Sequence, residues 1–243
     1  MRVGLLVTCL VDLLRPQVGF AALRLLESAG CEVIVPPGQT CCGQPAFNAG
    51  DRRAAVALAK KTIAEFESFE WIVVPSGSCA DQVINEYPGL IADDPEWAAR
   101  AAALAAKTRE LCQFLEAHVD RLPVRAASDT PATVAYHDSC TGLRGLGIKA
   151  QPRTLLDKLA GLRVTEAANC EDCCGFGGTF SVKFGEISAA IAERKCNGLL
   201  ATGADTVVGG DLGCLLNIEG KLRRMGHDDI AVRHIAELLA GPG

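Results

Sequence analysis

The sequence predicts an α/β protein made of two pseudo-repeated halves, each a small, mostly parallel sheet flanked by helices. Three observations carry this. Short apolar runs ending near a cysteine alternate with helical patterns, a four-cysteine arrangement occurs twice, and the second half repeats the element order of the first. Cys41-Cys42-Gly43 and Cys173-Cys174-Gly175 lie 132 residues apart, preceded by Cys9 and Cys140 and followed by Cys79 and Cys214. The intervening stretches are 31 and 36 residues in the first copy, 32 and 39 in the second.

Val3–Thr8 is a continuous apolar run of the kind a buried parallel strand shows, and it delivers Cys9. Pro16 opens a helix with Phe20, Leu23 and Leu26 as its apolar positions, and Gly30 closes it. Glu32–Val35 is a short second strand leading through Pro36-Pro37-Gly38 to the first cysteine pair. Asp51 caps a helix through Phe66, and Trp71–Val74 is a third strand ending at Pro75-Ser76-Gly77-Ser78-Cys79. In the second half Thr133–His137 is a strand running into Asp138-Ser139-Cys140. Pro152 opens a helix to Leu159, and Arg163–Ala167 is the next strand. A helix over Glu186–Leu200 follows the second pair, and Thr206–Gly209 is a strand reaching Asp211-Leu212-Gly213-Cys214. Between the halves, Pro95–His118 is rich in Ala and Leu and reads as one long helix. Leu122–Pro131 reads as a linker, which places the boundary near residue 126, with domains 1–126 and 127–243. Cysteines at strand ends would meet at the carboxyl edge of an open sheet, the usual ligand edge of such folds.

A chain of 243 residues, 49% apolar and 22% charged, can bury a substantial core. The net charge of -5 favours neither nucleic acid nor an anionic membrane surface. No segment approaches the roughly 20 apolar residues of a membrane span. The run after Arg2 is broken by Asp12 and Arg15, so it reads as a strand rather than a secretory leader. The expected location is the cytoplasm, where thiols stay reduced and a disulfide framework is disfavoured.

Thiolate is a soft ligand suited to iron-sulfur clusters, zinc and Cu(I). The close run of three cysteines found in ferredoxins is absent here. Adjacent cysteines diverge, which suits a centre with several metal atoms better than a single zinc ion. The glycine after each pair lets backbone N–H groups approach sulfur. The candidate ligands are therefore Cys9, Cys41, Cys42 and Cys79 in one set, and Cys140, Cys173, Cys174 and Cys214 in the other, with Cys170 a further candidate. Cys31, Cys112 and Cys196 have no counterpart in the other half and read as packing residues. Burial of the two quartets as small hydrophobes, or disulfide exchange within the vicinal pairs, are the competing readings.

The doubled Cys-x31-Cys-Cys-Gly-x35-Cys pattern resembles the cysteine-rich CCG domain family, and within it the L-lactate utilisation protein A family. The resemblance spans the chain and includes Pro75–Cys79, Tyr136–Cys140, Cys173–Phe180, Asp211–Leu215 and His234–Leu239. It implies a cytoplasmic subunit working with two partner subunits, one carrying ferredoxin-type clusters, to oxidise L-lactate, a small 2-hydroxy acid, to pyruvate. It also implies one or two [4Fe-4S]-type centres on the two cysteine sets. In the heterodisulfide reductase branch of the family the last segment is Cys-x-x-Cys and the cluster is noncubane. Here Gln82 and Asn217 stand where the final cysteines would be, so a cubane-like centre is an equal expectation. A thiol-disulfide oxidoreductase subunit and a zinc-bound non-enzymatic scaffold remain the alternatives.

His137 is a candidate to donate a hydrogen bond to a cluster, relay a proton or bind a carboxylate, set against a purely structural role. Arg144 is a candidate to offset cluster charge or hold an anion. His234 reads as a capping or interface residue, and His118 and His227 as surface positions. Gly175-Phe176-Gly177-Gly178 lacks the lysine or ribose-binding acid of a nucleotide site, so no nicotinamide or flavin is expected on this chain.

Overall fold

A computed structural model describes residues 1–122 and 133–241 of the chain. Two compact units, Met1–Leu122 and Pro123–Gly243, divide it. The expected boundary at 126, and all but the first residue of the expected linker, lie outside the described residues.

In the first unit the order is β1 (Arg2–Leu5), α1 (Cys9–Leu14), α2 (Pro16–Ser28), β2 (Glu32–Ile34), α3 (Gln44–Asn48), α4 (Arg52–Phe66), β3 (Trp71–Val74) and α5 (Gly77–Asp81). A π-type turn over Gln82–Glu86 leads into α6 (Tyr87–Leu90), α7 (Pro95–Ala106), β4 (Thr108–Glu110) and α8 (Leu111–Glu116). The four strands form a sheet in the order β2-β1-β3-β4, every pair parallel. Val3, Leu5, Val73 and Val74 are fully buried in the two middle strands, as expected where helices cover both sheet faces.

The second unit repeats the plan. It runs β5 (Thr133–His137), α9 (Cys140–Leu146), α10 (Ala150–Leu156), β6 (Arg163–Thr165), α11 (Thr179–Lys183), α12 (Gly185–Leu200), β7 (Thr206–Gly209), α13 (Leu212–Arg224), β8 (Ala231–His234) and α14 (Ile235–Ala240). Its sheet order, β6-β5-β7-β8, is again all parallel and corresponds strand for strand to the first. The expected architecture of two repeated α/β halves is the observed one.

Two expectations are corrected, and a third is extended. Pro95–His118 is two helices separated by the strand β4, because Ile72 donates to the Lys107 carbonyl and Thr108, fully buried, pairs with Ile72. The open edge of β3 thus takes this stretch as a strand despite its helical composition. Phe20 does not face the core: it is 61% exposed, and α2 packs through Val18, Ala21, Ala22, Leu25 and Leu26. Finally, β8 precedes the last helix, so His234 ends a strand as well as capping α14.

In each sheet the first strand's connection runs to one side and the next crosses back to the other. The gap between β1 and β3, and that between β5 and β7, is therefore a topological switch point, where open α/β sheets offer a crevice.

Candidate metal centres

Each switch point gathers four thiols. Cys9 and Cys140 are the first residues of α1 and α9, directly after the first strand of each unit. Cys79 lies in α5 and Cys214 in α13, after the third strand, with Ser76 and Asp211 capping those helices through their side chains. The vicinal pairs arrive on the loops that follow β2 and β6. The fold thus brings Cys9, Cys79, Cys140 and Cys214 each to the start of a helix at the carboxyl edge of its sheet.

The sulfurs touch in the same order in both units. Cys9 Sγ donates to Cys41 Sγ at 3.8 Å, and Cys42, next in line, lies close enough to both Cys41 and Cys79 for each to shift its protonation. In the second unit the same sequence of neighbours shift one another's protonation: Cys140 with Cys173, Cys173 with Cys174, and Cys174 with Cys214. Hydrogen bonds from the Cys42 and Cys9 thiols, helped by the Gly43 N–H, hold Cys41 far below the ordinary thiol range. The Cys41 hydrogen bond and burial raise Cys9, and the Cys41 and Cys79 hydrogen bonds raise Cys42. Cys140 is raised by its bond to Cys173 and by burial. One negative charge shared among protonated neighbours is what crowded thiols adopt without a cation.

Glycine geometry sets the sulfur positions. Gly43 and Gly175 both have φ of +87°, and their N–H groups donate to Cys41 Sγ at 3.4 Å and Cys173 Sγ at 3.3 Å. Phe176 N–H likewise donates to Cys174 Sγ at 3.5 Å. The pair carbonyls are tied down too: Tyr87 Oη donates to the Cys42 carbonyl at 2.7 Å, and Asn217 Nδ2 to the Cys174 carbonyl at 2.8 Å. Asn217 thus holds the loop from the place expected for a final cysteine. Gln82, its counterpart, is buried with Nε2 unpaired among the described residues.

His137 ends β5 at 1% exposure. Its ligating atom lies within 4.8 Å of Cys174 Sγ and Cys214 Sγ, and neither ring nitrogen has a hydrogen-bond partner among the described residues. Burial first, then the charge of Lys195, lowers its pKa to about 3, so the ring is neutral. Arg144 is exposed and donates to the Glu171 carbonyl at 3.3 Å.

Cys170 belongs to a different group, with Asp138 and Glu166, all within 4.8 Å of one another. Arg153 already supplies a cation there, bonding Asp138 at 2.7 and 2.9 Å and Glu166 at 2.8 Å through two nitrogens. The fully buried Lys195 donates at 2.7 Å to the carbonyls of Asn169 and Cys170. This charged frame around the second cysteine loop has no sequence signal beyond isolated basic and acidic residues. Cys31, Cys112 and Cys196 are buried in the core. His118 is half-buried and stacks on Phe114, whereas His234 accepts from Ala236 N–H and caps its helix. A cavity of about 330 Å³ opens beside the first quartet, lined by Val7, Cys9, Asp12, Pro36, Gln39 and Cys41.

Four convergent thiols with backbone N–H groups aimed at sulfur are a donor set that suits a thiolate-bound metal centre, and the residues fit one in each unit.

The cysteine-rich domain (CCG) family model matches the chain twice, over residues 3–83 and 134–219. Lactate utilization protein A of Bacillus cytotoxicus is 48% identical over 240 residues, covering 98% of both chains. The chain belongs to the lactate utilization protein A family. Lactate utilization protein A 2 of Bacillus mycoides is 47% identical over the same length and coverage. The two matched segments take in β1 to β3 of the first sheet and β5 to β7 of the second. The chain is also similar in fold to a hypothetical protein from Helicobacter pylori, with a TM-score of 0.73 at 11% identity. That match covers 100% of this chain and 49% of the other, so the chain spans about half of that structure's length. No helix among the described residues is long and apolar enough to cross a membrane.

Proposed function

We propose that this chain is the iron-sulfur redox subunit of a cytoplasmic complex that oxidises L-lactate to pyruvate. The observation that carries the reading is the matched path of four sulfurs at each switch point, on a chain nearly half identical to lactate utilization protein A. Conversion of L-lactate to pyruvate releases two electrons and two protons. A cluster of [4Fe-4S] type, held by Cys9, Cys41, Cys42 and Cys79 or by Cys140, Cys173, Cys174 and Cys214, would accept and pass on those electrons.

The chain's own residues supply the conditions for that role. Gly43, Gly175 and Phe176 give N–H groups that hold thiolate sulfur and temper its charge. Buried Cys42, Cys174 and Cys214 exclude water from one side of each site. Lys195 and Arg153 place positive charge behind the second quartet. The cavity beside Cys9 and Cys41 gives the first quartet an open approach. The reading includes two partner subunits, one with ferredoxin-type clusters that carry the electrons onward.

Iron and acid-labile sulfide analysis of anaerobically purified, reconstituted protein tests this. Several irons per chain with matching sulfide are expected, and fewer than one overturns the proposal.

A second reading is favoured by one distance. Thiolates bound tetrahedrally to one zinc ion at about 2.3 Å stand about 3.8 Å apart, the separation of Cys9 and Cys41. A zinc ion in the first unit would make that half a scaffold and leave redox work to the second. Zinc in stoichiometric amount, in protein never exposed to air, would identify it.

A further inference from the structure

The two sites are matched in their cysteines but not in their surroundings, and the sharpest difference lies three residues ahead of the first cysteine. That position is Leu6 in the first unit and His137 in the second. Both are buried at 1% exposure. Leu6 brings only apolar atoms to its place. His137 instead brings two polar atoms into the same kind of place and bonds neither of them within the described residues.

A buried polar group left unpaired is destabilising, and an ion or water that completes it is among the explanations such an orphan calls for. The ring is not remote from candidate partners. Its ligating atom and the sulfurs of Cys174 and Cys214 all lie within 4.8 Å of one another, a span that one metal centre can bridge. Imidazole nitrogen and thiolate sulfur are compatible donors for iron and zinc alike. His137 also ends a strand whose neighbour β7 delivers Cys214, so sheet pairing fixes the approach, with His137 in register with Gly209.

We propose that His137 is a protein ligand of the second centre, binding through one ring nitrogen beside Cys174 and Cys214, whereas the first centre is held by thiolates alone. The inference rests on the reading that each unit binds metal. The bonded nitrogen donates its lone pair and the other keeps its proton, so no group is oxidised or reduced on binding. The two centres are then chemically distinct despite their duplicated cysteines. Mixed nitrogen and sulfur ligation is a recognised way to move a cluster's potential away from that of an all-thiolate one.

Full-length protein labelled with 15N-histidine and reconstituted anaerobically with iron and sulfide provides the test, by pulsed electron paramagnetic resonance. A directly bound nitrogen whose coupling changes with the isotope is expected, and it should be lost in His137→Leu. That variant copies the first unit, so the first centre's signal should persist unchanged. Cobalt(II)-loaded protein gives a parallel reading, in which one hyperfine-shifted imidazole N–H proton is expected in the wild type and none in the variant. A labelled His118→Gln, His227→Gln double variant, in which His234 keeps its Nδ1 bond to Ala236, assigns the coupling even if His137→Leu folds poorly. Metal bound with no histidine nitrogen coupled to it, only weak coupling of a hydrogen-bonded ring, or a coupling that survives His137→Leu would overturn the inference while leaving the proposed function standing. A chain that binds no metal would fail both.

Discussion

Asn217 holds the carbonyl oxygen of Cys174 at 2.8 Å, 43 residues away along the chain, and so ties the second cysteine loop to α13. The acceptor belongs to a residue only 2% exposed, so nothing from solvent readily replaces the amide. Asn217→Leu should cost about 1–2 kcal/mol through the unpaired carbonyl and lower the melting temperature by several degrees. Thermal unfolding of the metal-free protein checks this, and Asn217→Asp should recover little because a carboxylate cannot donate.

Gly43 and Gly175 share a backbone angle but not a neighbourhood. An added Cβ at Gly43 would lie 3.3 Å from Leu58 Cβ, whereas at Gly175 it would lie 2.6 Å from the Ser188 carbonyl oxygen. Gly43→Ala should therefore cost about 1–2 kcal/mol in backbone strain alone. Gly175→Ala adds a clash with helix backbone and should displace Cys173 and Cys174. Chemical denaturation and metal content together read the difference, with the second unit the one that loses metal.

Arg153 holds two carboxylates, one of which has a side chain that is 0% exposed. Arg153→Met would leave Asp138 without its paired charge, a loss of about 3–5 kcal/mol in comparable buried pairs. Asp138→Asn in the same background should restore part of it. A double-mutant cycle on denaturant midpoints measures the coupling.

The same guanidinium gives a pH signature. Its hydrogen bond, opposed by partial burial, holds Glu166 below the ordinary carboxylate range. A carboxyl lowered on folding stabilises the native state above its unfolded value and loses that stabilisation as pH falls through the folded value. Stability should thus decline below about pH 4.5, and Glu166→Gln should flatten that part of the curve measured by urea titration at successive pH values.

Cys41→Ser and Cys173→Ser should each remove metal from one unit and leave the other loaded. Elemental analysis of anaerobically reconstituted variants is expected to give about half the wild-type content for a pair of like centres. Loss of all metal from either variant would contradict independent filling.

Much of this was legible from residue order. The cysteine quartets announced themselves by spacing, and Trp71–Val74, Thr133–His137 and Thr206–Gly209 are strands over those same residues because buried parallel strands are nearly all apolar. The edge strands β2 and β6 were also legible, but the opposite edges, β4 and β8, were hidden. Thr108–Glu110 is three residues long and lies among helix-formers, and only the unfilled edge of β3 makes it extended. Phe20 misled for a related reason: the apolar period of α2 is carried by small alanines, and the large ring points outward. His137 is singled out by its place before Cys140, but its closeness to Cys174 and Cys214 was not legible, since those sulfurs are distant in sequence.

The parallel order of each sheet also governs how these sites come into being during translation. Cys9 and Cys79 flank adjacent strands yet are 70 residues apart, so a ribosome adding about 5–20 residues per second leaves the first thiol waiting roughly 4–14 seconds for the last. Cys140 waits comparably for Cys214. Neither quartet is complete until about two-thirds of the first unit, or three-quarters of the second, has been made. If each quartet holds metal, the first can be filled while the second half is still being made, so the two sites become competent in sequence.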